Sequence, residues 1–111
     1  MRHIKKGEIY YVHVHEDAIG NEQCYDRPAI IVSNNIGNAH ANIVEIVYLT
    51  SRSKANLPTH VHINSSPRHS IALCEQISTI SKDRLGDYLG CCSQIEMDYI
   101  NNALMISLAL K

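Results

Sequence analysis

Three groupings of polar residues could carry chemistry in this chain of 111 residues. The first is the run Gly20-Asn21-Glu22-Gln23-Cys24-Tyr25-Asp26-Arg27-Pro28. A proline restricts the residue before it to extended backbone, so Arg27 is expected at a sheet edge, held rigidly, with Glu22 and Gln23 on the flexible side of the loop. The second is Thr50-Ser51, where an apolar run ends in hydroxyls. The third is Leu57-Pro58-Thr59-His60, with Glu75-Gln76 on the strand that follows it. An arginine and a hydroxyl at neighbouring strand ends suit a phosphate: the guanidinium binds two oxygens and the hydroxyl donates to another. If that phosphate belongs to RNA, its 2′-hydroxyl is an internal nucleophile. The protein then needs only to help deprotonate it, stabilise the crowded phosphorane and ease departure of the 5′-oxygen. No metal is required by that route. Purely structural readings stand beside this one: Arg27 as the ion-pair partner of Asp26 or Glu22, and Thr50 as a simple strand end.

Histidine and cysteine offer rival chemistries. His13 and His15, and likewise His60 and His62, are spaced i, i+2 on expected strands, so each pair shares a face and could hold a metal. Neither set is completed in sequence by a carboxylate or a thiol, and no metal or other cofactor is expected. Cys24, Cys74 and the adjacent Cys91 and Cys92 lack zinc-ligand spacing. They are read as reduced, non-catalytic thiols, with Cys74 a small apolar side chain inside Ile71-Ala72-Leu73-Cys74.

The residues that must position these groups form short strands first and a helix last. Alternation predicts strands over Gly7–Val14, Pro28–Asn35, Ile43–Thr50, Pro58–Asn64, Ser70–Ile77 and Asp87–Cys92. The run PAIIVSNN is nearly continuous in its apolar part, as a strand buried on both faces would be. Gly20-Asn21, Asn34-Asn35, Gly37-Asn38 and Asn64 to Pro67 punctuate the runs as turns. Ser93-Gln94-Ile95-Glu96 has the form of a capping box. After it Ile100, Ala103, Leu104, Ser107 and Leu108 recur at helical steps and form one apolar stripe. A shorter helical turn is expected over Lys82–Leu85. The fold class is mostly β with some α: a small, strongly bent antiparallel barrel closed by a C-terminal helix, in one domain spanning residues 1–111.

Composition narrows the function. With 45% hydrophobic and 19% charged residues the chain is neither disordered nor fibrous. No apolar run approaches the roughly 18 to 20 residues of a membrane span, and the basic N-terminus does not lead into an apolar segment, so a cytoplasmic domain without membrane contact is expected. A net charge of −1 excludes a uniformly basic nucleic-acid binder. The charges are segregated, however. No acid occurs between Glu45 and Glu75, a stretch that holds Arg52, Lys54 and Arg68, whereas from Glu75 onward acids outnumber bases five to three.

In motif content the chain resembles the MazF/PemK toxins, the endoribonuclease halves of bacterial toxin–antitoxin pairs. The resemblance runs through Lys6-Gly7-Glu8-Ile9-Tyr10, Gly20-Asn21-Glu22-Gln23, Arg27-Pro28, Ile31-Val32-Ser33-Asn34-Asn35 with Gly37-Asn38, and Leu49-Thr50-Ser51. It continues through Leu57-Pro58-Thr59-His60, Glu75-Gln76-Ile77, Thr79-Ile80-Ser81-Lys82-Asp83-Arg84-Leu85 and Ala103-Leu104-Met105-Ile106-Ser107-Leu108. It implies an SH3-like barrel, a symmetric homodimer, and metal-independent cleavage of single-stranded RNA, messenger RNA foremost, to 2′,3′-cyclic phosphate and 5′-hydroxyl ends. By the same resemblance Arg27 is phosphate clamp and proton-transfer partner, Thr50 a phosphate donor, and Glu22 a base or the residue that orients Arg27. Asn21, Gln23, Tyr25, Ser51, Arg52, Lys54, Thr59, His60 and Gln76 are expected along the RNA, with Thr59, His60 and Gln76 on the groove wall. A cognate antitoxin is implied as partner, its disordered acidic segment docking on the acid-free stretch Ile46–Cys74; DNA would be met through the toxin–antitoxin complex.

Two departures stand out. Asn21 replaces the serine usual in the family's Gly-Ser-Glu-Gln loop, and Cys24-Tyr25-Asp26 replaces a stretch that is often small and glycine-containing. Tyr25 could stack on a base, and Asp26 could repel the backbone. Two alternatives remain beside the nuclease: a CcdB-like gyrase poison of related fold, against which the absence of tryptophan counts, and an inactive barrel that binds RNA or antitoxin.

Overall fold

In a computed structural model, which describes residues 3–13, 26–52 and 54–110, the alternating segments form strands β1 (Glu8–Val12), β2 (Arg27–Ile31), β3 (Ile43–Thr50), β4 (His60–Ile63), β5 (Ser70–Ser81) and β6 (Leu85–Cys91). They make one antiparallel sheet in the order β4-β5-β3-β2-β1-β6. The mostly β class with a C-terminal helix is therefore the observed one.

β2 is buried on both faces, as its apolar run predicts. Ile30 joins a core with Ile9, Val47, Leu49, Ile63 and Ile100, while Ala29 and Ile31 join a second core with Tyr10, Val12, Ile46 and Tyr48. The strand is shorter than expected, however. It ends at Ile31, and the polar remainder Asn34–Asn35 starts a short helix α1 (Asn35–His40) in place of a turn. Asn34 caps that helix through its side chain, which accepts the Gly37 amide at 2.8 Å. Asn38 is buried and donates to the Ser33 carbonyl at 2.9 Å, and Lys82 Nζ donates to the Asn38 carbonyl at 2.5 Å. Side-chain bonds, and no apolar stripe, specify α1.

The other limits shift for physical reasons. β5 runs on to Ser81, beyond the expected Ile77, because β3 pairs with it along both halves; the register slips between Val47 and Leu49, which bends the strand. β6 begins at Leu85, earlier than the expected Asp87, since it pairs with Val12 there. β4 is confined to His60–Ile63, and the turn after Ser81 is a 3-10 turn over Lys82–Arg84. The last part of the expected Gly7–Val14 strand, Val14, lies outside the described residues.

The second helix, α2 (Gln94–Ser107), opens with the expected capping box: the Ser93 hydroxyl accepts the Glu96 amide at 3.2 Å and Glu96 Oε1 accepts the Ser93 amide at 2.8 Å. Its Met97, Ile100 and Ala103 enter the first core, whereas Leu108, expected on the same stripe, follows the helix and is 55% exposed. Glu96 also reaches the turn after β4, accepting the Asn64 amide at 2.7 Å and the Ser65 hydroxyl at 2.5 Å. Across that turn lies β6. A Cβ added to Gly90, whose φ is +150°, would stand 2.7 Å from the Ser65 carbonyl oxygen, so only glycine lets the two outer strands of the sheet approach this closely. The sheet thus coils until its edges meet under the start of α2.

Candidate active site

Between β2 and β3 the ladder pairs Ala29 with Tyr48, Ile30 with Val47 and Ile31 with Ile46, then stops. The next residue of β2, Pro28, has no N–H to donate, and there the two strands part. The gap becomes a cleft of about 380 Å³. Arg27 and Pro28 line one wall, Leu49, Thr50, Ser51 and Arg52 the other, and Ser66, Arg68 and Ser70 of the β4–β5 hairpin a third. The proline that fixes the backbone of Arg27 also opens the site into which Arg27 is placed.

Thr50 is only 5% exposed and pairs with Ile71 of β5. Its Oγ1 accepts the Arg52 amide at 3.2 Å, which leaves the hydroxyl proton to donate into the cleft. Arg27 stands close enough to Tyr48 to act on it: burial pushes the Tyr48 phenol above its ordinary value, and the guanidinium pulls the other way. Three arginines, Arg27, Arg52 and Arg68, therefore line one cavity together with the buried Thr50. Asp26, also at the rim, turns its carboxylate to His13 Nδ1 at 3.1 Å.

Arg68 belongs to the acid-free stretch, but nothing in the local sequence gives it, Ser66 or Ser70 a role at the site. Both hydroxyls bond the Arg68 carbonyl, Ser70 at 3.0 Å, and they lie 3.3 Å apart, which shapes the turn that presents Arg68. A charge-bearing turn inside an acid-free segment was the available signal. What no local pattern could supply is that the coil of the sheet brings this turn to Arg27, some forty positions earlier in the chain.

Other expected residues are elsewhere. Asn21, Glu22, Gln23, Tyr25, His15 and Cys24 lie outside the described residues. Lys54 and Gln76 are exposed but do not line this cleft. Neither do Thr59 and His60, which are tied instead to Glu75: Thr59 Oγ1 donates to its Oε1 at 3.0 Å, and His60 Nε2 meets its Oε2 at 2.9 Å. The His60–His62 pair is split between different partners, His62 Nδ1 lying 3.3 Å from His69 Nε2 with the rings stacked. Among the described residues no three His, Cys, Asp or Glu side chains converge as metal ligands. Cys74, Cys91 and Cys92 are free thiols, and Cys74 is buried as expected. Among the described residues no helix is long and apolar enough to cross a membrane.

Comparison with known proteins places the chain in a family. A family described as "PemK-like, MazF-like toxin of type II toxin-antitoxin system" matches residues 5–108. The endoribonuclease EndoA of Bacillus subtilis is 38% identical over 112 aligned positions, covering 96% of each chain. The endoribonuclease MazF of Staphylococcus saprophyticus is 37% identical, covering 96% of this chain and 92% of its own. Among solved structures, a mycobacterial endoribonuclease in complex with its cognate antitoxin superposes with a TM-score of 0.81 at 34% identity, covering 97% of both chains.

Proposed function

Because the chain belongs to the PemK/MazF-like toxin family, we propose that it is the endoribonuclease of a toxin–antitoxin pair, acting in the cytoplasm on single-stranded RNA, foremost messenger RNA, and so arresting translation and growth. The observation that carries this reading is the cleft where the ladder parts at Pro28, with Arg27, Thr50, Arg52 and Arg68 around one cavity. A phosphodiester seated there would take the planar guanidinium of Arg27 on two oxygens and the Thr50 hydroxyl on a third contact. Arg52 and Arg68 would hold the flanking phosphates.

The reaction then follows from RNA's own chemistry. The 2′-oxygen attacks the adjacent phosphorus, negative charge builds on the phosphorane oxygens, and the 5′-oxygen leaves with a proton, giving 2′,3′-cyclic phosphate and 5′-hydroxyl ends. Guanidiniums at the cleft would stabilise that charge. An arginine does not readily surrender a proton, so Arg27 serves first as clamp and only through a partner in proton transfer. Glu22 is proposed as that partner on family resemblance alone.

The same basic cleft suits an acidic, disordered antitoxin segment competing with RNA. A homodimer is proposed from the family, and it finds support in apolar residues left exposed toward the end of the chain, Met105, Ile106, Leu108 and Leu110.

The test is cleavage of a long, weakly structured RNA by purified protein in excess EDTA, with Arg27→Ala and Thr50→Ala alongside and all fragment ends sequenced. Discrete cuts ending in cyclic phosphate are expected. Arg27→Ala should lower the rate by about 10²–10³-fold, the usual effect of removing one preorganised charge stabiliser, while its circular dichroism stays native. Intact RNA from folded, antitoxin-free protein across many sequences would overturn the reading and bring the gyrase poison or inactive binder forward.

A further inference from the structure

His60 and His62 share a strand face but not a ligand, since His60 is turned to Ala55 and Glu75. A different pair of imidazoles meets across the β4–β5 hairpin. His62 Nδ1 and His69 Nε2 lie 3.3 Å apart, with the ring planes 28° from parallel and both residues exposed. Two nitrogens bound to one tetrahedral zinc, each at about 2.0–2.1 Å, stand about 3.3–3.4 Å from one another. A square-planar ion with bonds of about 2.0 Å would need them about 2.8 Å apart. We propose that His62 and His69 form a two-imidazole site for Zn²⁺, with water in the remaining positions, which staples the hairpin that carries Arg68 to the cleft.

The backbone beneath both rings is held in place by the fold. His62 pairs with Ile71 and Ile63 with Ser70 in the ladder. Within the turn the Ser66 and Ser70 hydroxyls bond the Arg68 carbonyl, and Glu96 of α2 accepts from the Asn64 amide and the Ser65 hydroxyl. Ring rotation is all that ligation then requires. In the direct contact one N–H lies along the line between the nitrogens, whereas a metal bound to both sits about 1.2 Å to one side of that line. Each ring must swing its lone pair by about 35° to aim there, and histidine χ2 is broadly tolerant of such a turn. The N–H moves to the other nitrogen of its own ring, so two neutral imidazoles each present a lone pair and no proton is released. The ligand set selects the ion. Among the described residues no Asp, Glu or Cys joins the pair as a third ligand, so Mg²⁺ and Ca²⁺, which take oxygen ligands, gain nothing for the water they would give up. Imidazole nitrogens suit zinc.

Neither imidazole lines the cleft, so the ion takes no part in cleavage, and the inference stands apart from the nuclease reading. Its test needs no RNA. Zinc chloride is titrated into the full chain near neutral pH in a buffer that does not bind metal, and followed by calorimetry and by long-range proton–nitrogen NMR of the histidine rings. His62 Nδ1 and His69 Nε2 should shift together, ahead of every other ring nitrogen, and magnesium chloride should move neither. His62→Ala and His69→Ala should each weaken zinc binding by at least about tenfold, the least that losing even a hydrogen bond to a metal ligand usually costs. His13→Ala should leave it unchanged. Amide exchange over residues 64–69 should slow with zinc in the wild type and in neither of the two hairpin variants. Shifts spread evenly over the histidines, or zinc affinity kept in both hairpin variants, would mean scattered surface binding and overturn the proposal. Ring shifts without slower exchange would overturn it as well, since the ion would then staple nothing. Should either variant fail to fold, the ring shifts and exchange of the wild type decide alone.

Discussion

At the scale of single residues, the chemistry is set by which groups keep a proton or a lone pair to offer. Thr50 accepts from the Arg52 amide and so keeps its hydroxyl hydrogen for a ligand. Cysteines show the opposite situation. Burial pushes the Cys74 thiol up to about 12, with the Glu75 charge adding to it, and burial with Glu96 and Cys91 does the same for Cys92. Both thiols stay protonated, and inert as nucleophiles, through pH 8. Cys91 is exposed. Brief treatment of native protein with iodoacetamide at pH 8 should therefore alkylate Cys91 and spare Cys74 and Cys92 until denaturant is added, which peptide mass spectrometry can read. Modification of Cys74 in native protein would show that the core around it opens.

At the scale of elements, the start of α2 fastens the two ends of the sheet. Glu96 is held by Ser93 within the cap and by Asn64 and Ser65 across the turn after β4. Burial disfavours its charge, but the Ser65, Ser93 and Asn64 bonds outweigh that and hold its carboxyl below the ordinary range. A depressed folded pKa stabilises the protein above the unfolded value of about 4.3, and the contribution is lost as pH falls through the folded value. Urea denaturation should show Glu96→Gln weaker than wild type by about 1 kcal/mol at pH 7, with the gap narrowing at pH 3. A gap that stays constant with pH would mean the charge contributes nothing. Gly90 tests the opposite edge. Its alanine variant would need both a left-handed φ of +150° and a Cβ 2.7 Å from the Ser65 carbonyl, so a loss of about 1–3 kcal/mol is expected from the urea midpoint at unchanged m-value.

At the scale of the whole molecule, a chain of net charge −1 concentrates three arginines on one cleft. If each neutralises one phosphate of a single strand, the logarithm of RNA affinity should fall against the logarithm of salt with a slope of about −2, since each contact contributes about −0.7. Arg68→Ala, placed on the hairpin wall, should reduce the magnitude of that slope by about 0.7 and weaken binding to unrelated RNA sequences alike. Fluorescence anisotropy with a non-cleavable, 2′-deoxy-substituted strand measures it; a slope unchanged in Arg68→Ala would remove that residue from the RNA path.

Much of this was legible in the chain itself, because the information lay within a few residues. Ile43–Thr50 alternates and ends where its hydroxyl begins; Ser93 to Glu96 has the offset a capping box requires; Arg27 precedes a proline, and that pair both stiffens the arginine and ends a ladder. The ordered motifs marked the family, and Arg27 and Thr50, which they single out, line one cleft. The helix α1 was not legible, since Asn34, Gly37 and Asn38 carry turn chemistry and the helix is secured by Ser33 and by Lys82, more than forty positions away. Nor could spacing show that Arg68 joins Arg27, or that His60 turns to Glu75 and Ala55 and not to His62. Local sequence determines dihedral preference, caps and the face a side chain occupies. Which faces then meet is decided by the coil of the sheet, through the slipped register of β5 and the glycine that lets β6 close on the hairpin, and only the tertiary structure contains that.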